Sequence, residues 1–380
     1  MAEIFTGGLL APLGFEQGLK AILLGHLIGG LILILGGYIG AQSKLPAIMS
    51  TRISFGHYGS YLFSLLNVLQ LIGWTAVMII SGGRAANELG VALFGFDSIN
   101  TWAIAIGIFI GLWIWLGKVG FQKLNVVAVV LLFVLTLILC GVVFKEGNIL
   151  LAAPTDEMSF GVALELSIIM PLSWLPLISD YTRFAKSRKS GLVGSFMGYF
   201  IGSSLMYAIG LAIALYAKDA SVGSMMMTLN LGFAALGIVL LSTITTTFLD
   251  AYSAGVTFTN IFPQMSERKI AFAMAIIGLL IAIFTPIEQY ETFLYAIGSV
   301  FGPLFAILLS DYFIFKKEQI EPSLSLHVGA LIVWAIGVGL YYWFMTFDLP
   351  LGSTLPTMLA TSMIFIITKK VMATWTFKIN

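Results

Sequence analysis

The feature that most constrains this chain is the recurrence of apolar runs long enough to cross a lipid bilayer as helices. A hydrocarbon core about 30 Å thick takes roughly 20 helical residues. Runs of that length follow one another along most of the 380 residues. The alternation of apolar and polar residues that is typical of membrane β-barrels is absent from the sequence. The sequence therefore predicts an all-α polytopic membrane protein embedded in a lipid bilayer.

Composition excludes several other classes of protein. Charged residues make up 10% of the chain, against about 25% in soluble proteins. A formal net charge of +1 leaves no basic face for a nucleic acid. One cysteine cannot form a disulfide framework, and the three histidines lack metal-ligand spacing. No nucleophile elbow or nucleotide-binding loop is present, so we expect no enzyme and no cofactor.

The apolar runs predict eleven membrane spans and one shorter piece. Residues 4–15 form that piece, which at 1.5 Å per residue is too short to cross. Numbered with the short piece as the first, the predicted spans two to twelve are 21–42, 60–82, 101–117, 124–144, 160–179, 191–216, 231–262, 270–286, 289–314, 328–347 and 352–368.

The distribution of Lys and Arg predicts the orientation. One alternating set of loops holds 15 of the 19 basic residues, which makes that set and the C-terminus cytoplasmic. Counting back from there places residue 20 outside. The short piece is then predicted to be the outer half of an incomplete first helix, with a re-entrant or interfacial segment as the alternative.

Weak internal symmetry suggests two inverted repeats within a single transporter domain, residues 1–380. Each half begins with a segment broken by Gly or Pro and continues into a helix with glycines at four-residue spacing. We expect repeat one at about 1–146, repeat two at about 155–317 and two extra helices at about 326–370. The loops at 43–57 and 183–190 are predicted to be cytoplasmic, and the loop at 145–158 is predicted to be external.

Ionisable side chains within spans mark function by default, because they are costly in the bilayer. Asp250 lies in the middle of the eighth span, and its alternative role is a structural pair with Arg84. Glu3 lies in the short first piece, just before a Thr-Gly-Gly sequence. Glu165, in the outer half of the sixth span, has either a direct role or a place facing an outer vestibule.

Three further features indicate a binding site within the bundle. Pro171 and Pro176 predict an interrupted helix around residues 170–173, which marks a midplane site unless it is a simple proline kink. Hydroxyl residues crowd positions 242–247, where they either ligate a cation or bond back to their own backbone. Trp74, at mid-depth in the third span, is either core packing or a stacking plate for a flat ligand.

Four sequence stretches resemble the nucleobase:cation symporter family, which includes cytosine permeases and hydantoin transporters. The stretches are LPAIMSTRISFG at 45–56, GW at 73–74, SDYTRF at 179–184 and YAIGSVFGPLFAILLSDYFIFKK at 295–317. Within that family the chain most closely resembles the CytX-type transporters of hydroxymethylpyrimidine, a thiamine precursor.

This resemblance implies a LeuT-like fold of two inverted five-helix repeats plus two extra helices. It implies that Trp74 stacks on a heterocycle and that Pro171 and Ser173 meet the substrate at the helix break. Met78 matches a position where relatives can have a polar ligand, and Asp250 matches an asparagine ligand.

The resemblance also places Thr245 and Thr246 at or beside a sodium site. Cation ligands from the first helix are then partly or wholly missing from this sequence. The coupling cation is sodium or a proton.

Together these features predict a secondary transporter in the cytoplasmic membrane that imports a small aminopyrimidine by cation symport and alternating access. Glu3 completes the expected set of substrate-binding residues. The alternatives are a permease for cytosine, purines or allantoin, and a non-transporting receptor built on the same fold.

Overall fold

The computed structural model describes residues 2–116, 125–144, 154–155, 157–217, 232–284, 290–372 and 375–378. Helices dominate, and two short strands, β1 (Leu324–His327) and β2 (Thr376–Lys378), pair antiparallel. The helices are α1 Ala2–Leu9, α2 Gly14–Ser43, α3 Ala47–Ser50, α4 Arg52–Phe94, α5 Ile99–Leu116, α6 Asn125–Val143, α7 Phe160–Ser173, α8 Leu175–Thr182, α9 Arg188–Ala217, α10 Gly232–Thr259, α11 Glu267–Phe284, α12 Tyr290–Leu309, α13 Val328–Phe344 and α14 Thr354–Met372. A 3₁₀ turn (Ala11–Leu13) joins α1 to α2, and a π-helical turn (Ser310–Ile314) extends α12.

Each of the eleven predicted spans falls on a helix or on the α7–α8 pair. Among the described residues, eight helical stretches are long and apolar enough to cross a membrane, and two other apolar helices are shorter. Many apolar side chains of α5 and α6 face outward, as expected for helices in contact with lipid. The division into two repeats stays a prediction.

Helix α2 packs tightly against α7 and α8 because its glycines let the backbones approach. A Cβ at Gly29 would overlap the ring of Pro171, and one at Gly40 would overlap Ser179. The hydroxyl of Ser179 donates to the carbonyl of Gly36, at 2.9 Å. The glycine spacing thus has a packing function in α2, whereas a Cβ at Gly194, Gly198 or Gly202 of α9 would meet nothing within 4 Å.

The interruption in the sixth span lies later than the proline pattern predicted. Residues 170–173 are helical, and the break between α7 and α8 falls at Trp174. Pro171 fits inside α7 with its ring against Gly29 of α2. The side chain of Gln70, from α4, donates to the carbonyl of Ser173 at 3.2 Å. A polar backbone group at the break is therefore satisfied by protein, as buried backbone requires.

Gly56 explains part of the LPAIMSTRISFG stretch. Its φ of 80° lies in the region that favours glycine, and it marks a kink within α4. A Cβ at this position would lie 2.8 Å from the carbonyl of Ser325 in β1. The kink thus seats the start of α4 against the small sheet.

Glu165 does not line the central cavity described below. It is 3% exposed, so it does not point into open solvent, and its carboxylate accepts hydrogen bonds from four donor groups. The hydroxyl of Tyr341 in α13 donates to it at 2.8 Å. The backbone N–H groups of Ser353 and Thr354 and the hydroxyl of Thr354 donate at 2.6–3.1 Å. The carboxylate caps the N-terminus of α14 and ties α7 to the last two helices.

Candidate functional site

A small cavity lies where α1, α4, α10 and the α7–α8 break meet. Its space is about 20 Å³, enough for a water molecule but not for a heterocyclic ring. Ten residues line it, namely Ala2, Glu3, Trp74, Met78, Met170, Ser173, Trp174, Leu177, Thr246 and Asp250. Because the walls come from four separate helical segments, movement between those segments can widen the space.

The structure brings six of the eight predicted site residues together around this cavity, and two lie elsewhere. Pro171 is turned toward Gly29 of α2. The hydroxyl of Thr245 donates to the carbonyl of Leu241 at 2.7 Å. Their predicted contacts with substrate and cation stay predictions, as do the roles of the six lining residues.

Asp250 is 5% exposed and faces the cavity from α10. Within the described residues it forms no ion pair, and its predicted alternative partner Arg84 is exposed on α4. No donor from the described part of the chain pairs with its carboxyl group. A buried carboxylate accepts hydrogen bonds and attracts cations, so this side chain offers an acceptor to whatever enters.

The SDYTRF stretch fixes the surroundings of Asp250. Asp180 in α8 accepts the backbone N–H of Ala47 at 3.0 Å, which joins α8 to α3. The hydroxyl of Tyr181 donates to the carbonyl of Leu249 at 3.1 Å, one residue before Asp250. Two of the stretches that resemble the family, 45–56 and 179–184, thus contact each other, and the second also contacts α10 beside Asp250.

Trp74 supplies an aromatic wall of the cavity, and it also packs against α12. Its ring lies edge-on to Phe293 and Tyr290, with centroids 5.3 Å and 6.0 Å away. These two contacts hold the indole at one angle. A flat ligand would therefore meet an aromatic surface that is already oriented.

Trp174 is the main site residue that the sequence analysis missed. It occupies the helix break and lines the cavity with its neighbour Leu177. A signal was available, because Trp174 lies between two prolines at mid-depth, away from the interfacial belt where tryptophans are usual. Met170 was named only as one bound of the interrupted stretch, and nothing marked its side chain as a wall.

The sequence left two roles open for the hydroxyl residues at 242–247 of α10, namely ligands of a cation or hydrogen bonds back to their own helix backbone. The hydroxyls of Ser242, Thr245 and Thr247 bond back to carbonyls three or four residues earlier. Thr246 instead lines the cavity. The buried hydroxyl of Thr243 finds no partner among the described residues. In the described part of the chain, no cluster of His, Cys, Asp and Glu has the grouping of a metal site.

A broken helix beside an acidic, tryptophan-walled cavity within a bundle of membrane-length helices defines the class as a membrane transporter. The family of permeases for cytosine and purines, uracil, thiamine and allantoin matches residues 2–361, and this chain belongs to that family. It is thus a multi-pass secondary transporter of nucleobase-like substrates. The predicted family and the absence of enzyme activity are confirmed by this match.

Individual relatives agree with the family match. The chain is 27% identical to the cytosine permease of Escherichia coli (strain K12) over 351 residues, which cover 90% of this chain and 82% of that one. Mhp1, a nucleobase-cation-symport-1 family transporter solved in a closed conformation with bromovinylhydantoin bound, superposes with a TM-score of 0.81 at 19% identity. That match covers 98% of this chain and 89% of Mhp1.

A more distant structure extends the comparison of folds. A Na⁺-coupled sialic acid symporter in a substrate-bound outward-open state gives a TM-score of 0.64 at 15% identity, covering all of this chain and 91% of that one. The two structural likenesses confirm the predicted LeuT-like, all-α fold.

Proposed function

We propose that this transporter imports a small aminopyrimidine across the cytoplasmic membrane, with its C-terminus on the cytoplasmic side. Hydroxymethylpyrimidine is the substrate that the site fits best. A cation gradient drives accumulation, and substrate and cation bind in the central cavity before it opens to the other side. The observation that carries this proposal is Asp250, a buried acceptor that faces the cavity without a donor from the described residues.

The chemistry of Asp250 distinguishes between classes of ring. A carboxylate only accepts hydrogen bonds, whereas an asparagine at the same place both donates and accepts. Hydroxymethylpyrimidine presents an exocyclic amino group and no ring carbonyl, so its amino edge suits an acceptor. A ring nitrogen that is protonated beside that amino group would add a charge-assisted second contact.

The tryptophans and the helix break supply the rest of the site. Trp74 and Trp174 line the cavity from α4 and from the α7–α8 break, and either indole face suits a flat heteroaromatic ring. Met78 makes the wall beside Trp74 apolar, one turn further along α4. Polar recognition therefore falls mainly on Asp250 and Glu3, and Ser173 offers an acceptor oxygen.

Cytosine is the second candidate, because a cytosine permease is 27% identical to this chain. Cytosine carries an exocyclic amino group that Asp250 can accept from, together with a ring carbonyl that needs a donor. The hydroxyl of Ser173 donates to the carbonyl of Met170 at 2.7 Å, so it is already engaged. A ring carbonyl would therefore depend on Thr246, the other hydroxyl that lines the cavity, whereas the ring without a carbonyl needs no such donor.

Binding to the purified protein tests the assignment. Calorimetric titration with hydroxymethylpyrimidine, cytosine and uracil should rank hydroxymethylpyrimidine first for the wild type and uracil last. Asp250→Asn should weaken hydroxymethylpyrimidine binding by about 2–3 kcal/mol, as expected for a hydrogen bond to a charged group, and should relatively favour rings with carbonyls.

The matched control is Asp97→Asn, which alters an exposed aspartate in the loop between α4 and α5. It should leave all three affinities unchanged. If Asp250→Asn binds the three rings as the wild type does, Asp250 is structural and the aminopyrimidine assignment fails.

A further inference from the structure

The carbonyl of Ser173, at the α7–α8 break, has neither of the donors that a helix would supply. A helical carbonyl accepts from the N–H three or four positions later. Three positions after Ser173 is Pro176, which has no N–H. Four positions after it is Leu177, whose N–H donates to the carbonyl of Trp174 instead, at 3.0 Å. The break therefore leaves one acceptor inside the helix bundle that needs a donor from elsewhere.

Gln70 of α4 supplies that donor. Its side-chain nitrogen lies 3.2 Å from the carbonyl oxygen of Ser173 and 3.2 Å from Oδ1 of Asn67. Because both of these oxygens only accept, both hydrogens of the amide are used. Asn67 is held in turn by donating to the hydroxyl of Thr257 in α10, at 2.8 Å. A chain of three side chains thus runs from α10 through α4 to the break.

The other end of the Gln70 amide shows that the break sets its orientation. The residue is 5% exposed, and its Oε1 has no hydrogen-bond partner among the described residues. A buried oxygen without a donor is unfavourable. Reversing the amide would place this oxygen against the carbonyl of Ser173, where two acceptors would repel each other. The contact with the break therefore outweighs the loss at the oxygen.

This hydrogen bond joins the two segments that carry the tryptophans of the cavity. Gln70 lies one turn before Trp74, on the same face of α4. Ser173 directly precedes Trp174. Trp74, Ser173 and Trp174 line the cavity, while Gln70 lies outside its lining. The amide of Gln70 therefore acts on the cavity through the residues that it holds.

We propose that Gln70 is a positioning residue, which sets the distance and angle between Trp74 and Trp174 and so the fit of a flat ring between them. This role rests on the proposed binding of a heteroaromatic ring in the cavity. Stacking depends steeply on distance, because a gap of about 0.5–1 Å already forfeits about a quarter to a half of the dispersion energy. A break that drifts from α4 would thus lose selectivity for flat rings.

The first experiment follows Trp174 without any ligand. The protein is labelled with 5-fluorotryptophan, and Trp174→Phe assigns the fluorine resonance of Trp174. Gln70→Met keeps the length of the side chain but donates no hydrogen bond, so it should shift this resonance or split it into two. Gln17→Met is the matched control, because it makes the same change at an exposed position of α2, and it should leave the resonance in place.

A second background tests the mechanism. Pro176→Ala restores an N–H three positions after Ser173, so the backbone itself can supply the donor that Gln70 provides in the wild type. Adding Gln70→Met to Pro176→Ala should then change the Trp174 resonance little. A change as large as that in the wild-type background would mean that Gln70 acts by packing, and would overturn the positioning role.

Calorimetric titration measures the effect on the site. Gln70→Met should weaken the binding of hydroxymethylpyrimidine and of cytosine about five- to tenfold, because a wider gap reduces stacking on the indoles without abolishing it. Gln17→Met should bind both rings as the wild type does. Thermal unfolding of each variant, recorded alongside, separates a loss of affinity from a loss of folded protein.

The failure of the positioning role differs from that of the proposed function. The role is overturned if Gln70→Met leaves the Trp174 resonance unchanged, or if it binds both rings with the affinity of the wild type. If the wild type binds neither ring, while the resonance changes in Gln70→Met and is restored in the Pro176→Ala background, the proposed substrates are wrong and the positioning of Trp174 by Gln70 is supported.

Discussion

Trp74 has two structural roles, because it forms a wall of the cavity and also packs edge-on against Phe293 and Tyr290 of α12. The sequence left open whether it stacks on a ligand or packs a helix interface. The structure shows the packing directly and leaves one surface on the cavity. Stacking on a substrate remains the prediction.

Substitution of Trp74 distinguishes stacking on the substrate from packing against α12. Stacking of a base on an aromatic side chain contributes about 1–3 kcal/mol, so Trp74→Ala should weaken hydroxymethylpyrimidine binding by roughly ten- to a hundredfold. Trp74→Phe keeps an aromatic face and should retain part of the affinity. Calorimetric titration measures both variants.

The control is Trp115→Ala, which removes a tryptophan that is 66% exposed on the outside of α5. Its affinity should match that of the wild type. Equal losses in Trp74→Ala and Trp74→Phe, with unchanged thermal unfolding, would mean that Trp74 packs α12 and does not stack on the ring.

At the scale of single residues, the sequence identifies site positions wherever a residue type is costly in a membrane. Asp250 and Glu3 stand out because charges are rare within spans. Met170 does not, because an apolar wall residue has the same composition as the lipid-facing surface, and Trp174 is marked only by its unusual depth between two prolines. Their place depends on how α7 and α8 meet, which no local pattern encodes.

Among the helices, Glu165 shows how an intramembrane carboxyl group can be structural. It accepts four donors at the junction of α7, α13 and α14, and its charge lies at the N-terminus of α14, where a helix dipole favours an anion. Gly352, with a φ of 67°, leaves the space that this carboxylate fills. The sequence shows the charged residue, but its partners lie 176 to 189 positions further along the chain and could not be predicted from it.

Glu165→Gln should destabilise the protein. The amide replaces one acceptor oxygen by a donor, which then faces N–H and O–H donors, so the change should cost on the order of 2 kcal/mol. We expect a lower thermal unfolding midpoint in detergent and little change in hydroxymethylpyrimidine affinity for the folded protein. Glu16→Gln, at an exposed position, should leave the midpoint unchanged. A Glu165→Gln midpoint equal to the wild type would contradict the capping role.

His327 provides a pH-sensitive cap for α13. Its Nδ1 accepts the backbone N–H of Ala330 at 3.1 Å, which requires the unprotonated ring nitrogen. Burial, reinforced by the positive charge of Lys317, lowers the pKa of His327 below its ordinary value of 6.5. The stabilising contribution is therefore present above about pH 6.5 and is lost as the pH falls toward the lower folded-state pKa.

His327→Asn should reduce that pH dependence, because asparagine caps a helix without titrating. Thermal unfolding midpoints measured from about pH 7.5 to about pH 5.5 should fall more steeply for the wild type than for the variant. Parallel curves for the two proteins would show that His327 does not titrate in this range.

For the whole molecule, the sequence predicts the fold class well because membrane thickness dictates helix length and the bilayer excludes other architectures. The structure also gathers the predicted loops at two ends. Lys44 donates to the carbonyl of Ala185, and Arg52 donates to that of Asn260, within the predicted cytoplasmic set. Thr155 contacts Pro12 within the predicted external set. Which end faces the cytoplasm remains a prediction from charge.

Accessibility of engineered cysteines tests the orientation. With native Cys140 replaced by alanine, a cysteine at Ser187 should resist an impermeant thiol reagent in intact cells and react after permeabilisation. A cysteine at the exposed Thr346, between α13 and α14, should react in intact cells. The predicted external loop at 145–158 lies mostly outside the described residues, so Thr346 is the better probe. The opposite labelling pattern would reverse the topology.

Counterflow of labelled hydroxymethylpyrimidine tests the central claim most directly, because it requires both binding and alternating access but no ion gradient. Proteoliposomes loaded with unlabelled hydroxymethylpyrimidine should accumulate the label transiently, and Asp250→Asn should reduce the initial rate at least tenfold at limiting concentration. Loading with uracil should give little counterflow. Binding of the label without any counterflow would show a receptor on a transporter fold, and would contradict the transport mechanism proposed for this chain.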